Sequence, residues 1–124
     1  MASVITRDDW RILNMPLVYE TVWLNESFNA SDCKALLQGY LPKGTDDRWF
    51  MYSVDDWIYL HRSWTGHCIF RVQIEIIEQG CMLTQLHINR DSSQYRSTNS
   101  EADKSEVKSV LKHLIIQNTL NKNS

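Results

Sequence analysis

Between Arg48 and Asn89 the chain reads as four strand-like runs with almost nothing between them. That spacing constrains the fold more than any other feature. Arg48–Ser53, Trp57–Arg62, Cys68–Glu78 and Cys81–Asn89 are rich in β-branched and aromatic residues. The breaks are Val54-Asp55-Asp56, Trp64-Thr65-Gly66 and Gln79-Gly80. Connections this short join antiparallel neighbours only, because a parallel pair needs a long crossover. The expectation is therefore a four-stranded antiparallel β-meander.

The flanks supply helices. Ser100-x-x-Asp103 resembles a capping box, and Val107, Val110, Leu111 and Leu114 form an apolar stripe at helical spacing. Such a stripe has to be buried, and the sheet is the surface available. Upstream, Thr6-Arg7-Asp8-Asp9 reads as the cap of a short helix carrying Trp10, Ile12 and Leu13. Ser31 reads as the cap of a helix from Asp32 to Leu41, stopped by Pro42. Leu17 to Leu24 is ambiguous between strand and helix, with Val18, Thr21 and Val22 leaning toward strand. The expected class is α+β: a four-stranded meander with the C-terminal helix on one face and one or two N-terminal helices. A chain of 124 residues makes one domain with one core. Within it, 1–46 is mainly helical, 47–90 is the meander, 100–119 is the last helix, and Asn121–Ser124 is a frayed tail.

Alternation along the strands sorts two faces. Ile58 and Leu60, then Cys68, Phe70, Val72, Ile74 and Ile76, then Met82, Thr84, Leu86 and Ile88, are expected to point at the helices. Trp57, Tyr59, His61, Arg71, Gln73, His87 and Asn89 point the other way. Two aromatic rings, two imidazoles and a guanidinium on one face are equipped to stack a flat ring and bind an anion. The competing reading is that first-half segments cover this face and its rings are core.

The hairpin tip Arg62-Ser63-Trp64-Thr65-Gly66 adds a fork for phosphate, two hydroxyls, an indole for a base and a glycine that lets backbone come close. Its structural alternative is a turn whose hydroxyls satisfy its own amides.

Charge and motif content exclude other classes. A formal net charge of -2 lacks the basic excess of a protein that grips duplex nucleic acid. No apolar run is long enough to span a bilayer, and Thr6-Arg7-Asp8-Asp9 interrupts any signal peptide. Cys33, Cys68 and Cys81 make an odd count without a C-x-x-C pair, and read as buried, reduced thiols of a cytoplasmic protein. His61 and His87 offer no third ligand, so no metal or cofactor is expected. Ser63 lies in no nucleophile elbow, and no Walker or Rossmann glycine pattern is present.

HRSWTGHCIF and INRDSSQYRST, followed by a helix entered through Asp103, resemble a small bacterial and phage family. Its members carry H-R-S-W-T-G-x-C-I and N-R-D-x-x-Q-Y-x-x-T segments and occur alone or beside macro-type and ADP-ribosylglycohydrolase domains. The likeness covers Asp47 to about Leu114. It implies a setting in ADP-ribose chemistry, with phage–host immune signalling as one such setting, rather than a mechanism.

Three functions are consistent with these residues. The first is a module that recognises or sequesters an ADP-ribose-type or other NAD-derived nucleotide. In it Arg62 and Arg90 hold phosphate, Trp64 or Tyr95 stacks on the base, His61, Ser63 and Asn89 meet ribose hydroxyls, and Tyr59, Thr65, Arg71 and His87 complete the surface. The second is an enzyme cleaving or transferring an ADP-ribosyl group, with His61 as acid–base and Asp91 or Asp55 orienting it. The third is a protein-interaction domain anchored by Trp64. A homo-oligomer is compatible with each.

Overall fold

The structure is a computed structural model that describes residues 4–122. Its class is α+β, and its sheet has five antiparallel strands rather than four. In chain order the elements are β1 (Tyr19–Asn29), α1 (Ala30–Gln38), β2 (Trp49–Val54), β3 (Trp57–Arg62), β4 (Cys68–Ile77), β5 (Gly80–Asn89) and α2 (Ser100–Lys122). Strand order across the sheet is β1-β5-β4-β3-β2. The meander β2 to β5 has the topology its short turns dictate. The additional strand comes from the segment expected to be mainly helical. β1 pairs with β5 along its length, from Tyr19 opposite Asn89 to Asn29 opposite Gly80.

Two helices, the C-terminal one and one of the N-terminal half, cover the same face. α1 follows β1 and returns the chain to the far edge of the sheet. Its cap is Asn29, whose side chain accepts from the Asp32 amide at 2.8 Å. It ends at Gly39 instead of Pro42. Gly39 has φ +78, and a Cβ there would lie 2.4 Å from the Met51 carbonyl oxygen, so no other residue fits. α2 is capped by Asn99, whose Oδ1 accepts from Ala102 at 3.1 Å. The helix runs to Lys122; of the expected frayed tail, residues 123–124 lie outside the described residues. Cys33 and Leu36 of α1 and Val107, Leu111 and Leu114 of α2 close the core over Leu60, Phe70, Val72, Leu86 and Ile88. No helix among the described residues is long and apolar enough to cross a membrane.

Of three irregularities in the sheet, two change which residues face that core. Register shifts occur between Leu60 and His61, between Val72 and Ile74, and between Trp23 and Glu26. One extra residue inverts every side chain beyond it. Ile69 and Leu83 therefore join the core with Cys81. Cys68, expected inside with Phe70, stands opposite His61 on the other side. Met82, also expected inward, stands opposite Glu75 and Ser27. In β1 the extra residue is accommodated by Asn25, at φ 49.

The cysteines are not three thiols. Cys33 of α1 and Cys81 of β5 form a disulfide, and Cys68 alone is free. The pairing arises because α1 packs over the start of β5, a tertiary placement that cysteine spacing does not encode. Of the three reduced thiols on which a cytoplasmic location was read, only Cys68 remains, and disulfides persist in oxidising surroundings.

The N-terminal segment is a single 3₁₀ turn, Arg7–Asp9, followed by extended chain. The Thr6 amide donates to the Asp9 carboxylate at 2.8 Å, but Trp10, Ile12 and Leu13 are not helical. The segment lies across the sheet face that the helices leave uncovered. Trp10 stacks on Phe50 with ring centroids 6.1 Å apart. The Trp10 indole donates to the Ser63 carbonyl at 2.8 Å, and the Leu13 amide to the Gly66 carbonyl at 2.8 Å.

Candidate functional site

The sequence assembled one surface from eleven residues. The structure divides them between the two faces of the sheet and withdraws most from solvent. Tyr59, Arg71 and His87 stand side by side in the cross-strand register, with Trp57 and His61 on the same face. Arg62 pairs with Trp49 and so lies on the opposite, helix-bearing face. A small ligand at Arg62 does not reach Arg71 or His87.

On the open face the polar groups satisfy one another. Arg71 Nε donates to His87 Nδ1 at 2.8 Å, which leaves the His87 proton on Nε2, 3.2 Å from Gln85 Oε1. His87 stacks on Tyr19 at 4.4 Å, and the Arg71 guanidinium lies over Tyr19 at 4.9 Å and Trp57 at 5.4 Å. His61 is 1% exposed. Its Nδ1 donates to the Gly66 carbonyl at 2.9 Å, and its Nε2 accepts from the Tyr52 hydroxyl at 3.2 Å. It pins the hairpin turn shut. Gly66 completes that turn at φ +82, where a Cβ would meet the Arg11 carbonyl oxygen at 2.9 Å. Burial also pushes the Cys68 thiol up to about 12, which keeps it protonated.

The remaining nominees are held in the same manner. Ser63 Oγ donates to the Asp47 carbonyl at 2.6 Å. Asn89, fully buried, donates to the Cys68 carbonyl and to Gln94 Oε1 and accepts from the Asp91 amide. Arg90 is spent on Glu20 at 2.9 Å and Asp103 at 2.8 Å, and is not free for phosphate. Tyr95 donates its hydroxyl to Asp103 and sets its ring edge-on to Phe70. Asp91 accepts from the amide and hydroxyl of Ser93, so it does not orient His61.

What remains available converges at the hairpin tip. Arg62, Arg48, Trp64, Thr65, Gln94, Thr45 and Asp46 line a depression of about 530 Å³. The Arg62 guanidinium stacks on Trp49 at 4.6 Å and approaches the Tyr95 ring at 6.0 Å. Among the described residues neither Arg62 nor Arg48 has a carboxylate within ion-pair distance. Arg62 is thus held over aromatic rings with its donors unspent, the arrangement suited to two oxygens of a carboxylate or phosphate. Trp64 is 71% exposed and tethered by its indole N–H to the Thr45 carbonyl at 3.3 Å. Thr65 is exposed, its hydroxyl oxygen accepting from the His67 amide at 3.2 Å.

The two motifs do meet, through Arg62 and Tyr95 as chosen and through Gln94, which was not among the chosen residues. Gln94 reaches the depression because Asn89 holds its side-chain oxygen at 2.8 Å. Arg48 was read only as the start of a strand. The signal that brings it in is the β2–β3 register, which lays Trp49 against Arg62 and leaves Arg48 beside both.

No family model matches the chain, and neither a curated protein nor a solved structure matches it. Function is therefore read from geometry and chemistry.

The two buried histidines make stability depend on pH. Burial holds His61 below the ordinary value of 6.5, helped by Arg7 and opposed by the bond to Gly66. Burial, then Arg71, lowers His87 in the same way. Below pH 6.5 the unfolded chain binds protons that the folded chain refuses, so stability present above that pH falls as pH drops toward the folded values. Urea melts at pH 7.5 and 5.5 are expected to show a lower midpoint at 5.5, before the carboxylates titrate. In His61→Gln/His87→Gln the difference shrinks; an equal drop in that variant contradicts the assignment.

Proposed function

We propose that the protein is a binding module for a phosphate-bearing nucleotide of the ADP-ribose or NAD-derived class. The site is the depression framed by Arg48, Arg62 and Trp64. The observation that carries this reading is Arg62: a guanidinium laid flat on Trp49, without a carboxylate partner, beside a second unpaired arginine and an exposed indole. Phosphate meets the two arginines, the base lies on Trp64, and Gln94 and Thr65 bond to ribose. Recognition or sequestration is favoured over ADP-ribosyl transfer, because His61 and Asp91, the acid–base pair of that alternative, are bonded elsewhere and do not line the depression, where Asp46 is the carboxylate present.

Tryptophan fluorescence tests this. ADP, ADP-ribose and NAD are titrated into wild type, Arg62→Ala, Arg62→Lys and Trp64→Ala, and each ligand is afterwards recovered by chromatography. Wild type saturates and returns the ligand intact. Arg62→Ala weakens binding roughly 10–100-fold, the value of a charge-assisted contact of about 1.5–3 kcal/mol. Arg62→Lys does not restore it, since an ammonium neither stacks nor forks. Trp64→Ala loses a comparable amount through stacking. Saturation in wild type with equal affinity in Arg62→Ala contradicts the site, and converted ligand contradicts the binding-only reading.

A further inference from the structure

The depression at the hairpin tip does not end at Arg48. A second hollow of about 330 Å³ lies between β2 and α2, and Asp46 and Arg48 line both. The wall between the hollows is the Arg62–Trp49 stack: Arg62 faces the first and Trp49 the second. Both arginines therefore stand where the hollows join. On either side of that junction is room for a ring. The first hollow offers the face of Trp64. The second offers Met51, Val110 and Leu114 as an apolar lining, with Ser109 and His113 at its rim. Each volume lies within the range of small-molecule sites, about 300–1,000 Å³.

We infer that the ligand is bipartite: two ring systems joined by a diphosphate, one ring on Trp64, the phosphates on Arg48 and Arg62, and the second ring in the hollow between β2 and α2. This rests on the nucleotide reading of the hairpin tip and names its ligand class more narrowly. The second hollow also states a preference for its ring. Asp47 lines it, and its carboxylate is held ionised by the Lys43 amide at 2.7 Å and the Tyr40 hydroxyl at 2.8 Å. The Lys43 bond is the main cause of its lowered pKa, followed by the Tyr40 bond. A carboxylate accepts only. The second ring is therefore one that presents an N–H donor, as an aminopurine or a carboxamide does. Among the described residues Asp46 is the carboxylate that lines both hollows, and it opposes phosphate at the junction.

The test compares ADP with diadenosine diphosphate by calorimetry, on wild type, Ser109→Tyr and Val110→Phe. Ser109 is exposed at the rim of the second hollow, so its enlargement fills the hollow without entering the core; Val110→Phe, on the same helix and partly buried, fills it from its apolar lining. Diadenosine diphosphate is expected to bind wild type at least tenfold more tightly than ADP. Either enlargement is expected to remove that advantage and leave ADP affinity unchanged. Equal affinity of the two ligands for wild type, or an advantage that survives both enlargements, overturns the bipartite ligand and leaves the Trp64 site standing. Failure of both ligands to bind wild type overturns the nucleotide reading and this inference with it.

Discussion

Arg90→Ala is expected to destabilise the fold by about 3–5 kcal/mol, the cost of stripping the partner from a buried charge. Arg90 leaves the end of β5 and ties three parts of the chain together. It reaches Glu20 of β1 at 2.9 Å, Asp103 of α2 at 2.8 Å and the Ser97 carbonyl between them at 2.9 Å. Asp103 is 1% exposed, and without Arg90 its remaining side-chain partner is the Tyr95 hydroxyl. Asp103 is thus not the terminal acid of a capping box but the anchor that docks α2 onto the strand ends. For a chain of this size the loss corresponds to roughly 10–20 °C in Tm. Urea denaturation of Arg90→Ala, Asp103→Leu and the Arg90→Met/Asp103→Leu pair separates charge from packing. The double variant is expected to recover most of the loss, because an apolar pair of similar volume leaves no ion stranded. A loss below about 1 kcal/mol in Arg90→Ala, the range of an exposed pair, contradicts the anchoring role.

Reducing the Cys33–Cys81 bridge is expected to have an effect of similar size. The bond joins residues 48 positions apart, and closing a loop of that length removes unfolded-state entropy worth about 4 kcal/mol. Both sulfurs belong to residues packed in the core, so reductant acts mainly on the transiently open chain. Thermal melts with and without reductant, with thiols counted by mass, are the measurement. One free thiol in the untreated protein, that of Cys68, and a Tm lowered by more than 10 °C on full reduction are expected. Three free thiols in the untreated protein, or a Tm indifferent to reduction, contradict the staple.

The meander and the last helix were legible because their signals are local. Turn residues at Asp55-Asp56 and Gln79-Gly80 and the Val107–Leu114 stripe act within a few positions of the chain. β1 was legible only as a lean toward strand over Leu17–Leu24, for a physical reason. Its inward row of Val22, Leu24 and Phe28 is interrupted by Glu20 and Glu26 on the same side, and its partner, β5, lies some sixty positions away. The bulges moved Cys68, still buried, to the face away from the helices and Leu83 to the face beneath them. At the site, sequence identified the hairpin tip and its neighbour motif, but residue type does not say whether a polar group is already spent. His61, Ser63, Asn89 and Arg90 look like ligand contacts in one dimension. In three they are the bonds that hold the tip, the β5 end and α2 in place. Their work is to fix Gln94, Trp49 and Tyr95 around Arg62, so they support the depression without touching what fills it.

The most direct test of the account is nitrogen-15 NMR of the protein during titration with ADP, read at the tryptophan indole and arginine Nε–H signals. Trp64 and Arg62 are expected to shift together and to saturate at one affinity, while Trp23, Trp57 and Arg71 on the open face stay in place. Shifts confined to Trp57 and Arg71, or no shift at Trp64 and Arg62 at saturating ADP, contradict the placement of a phosphate-binding site at the hairpin tip.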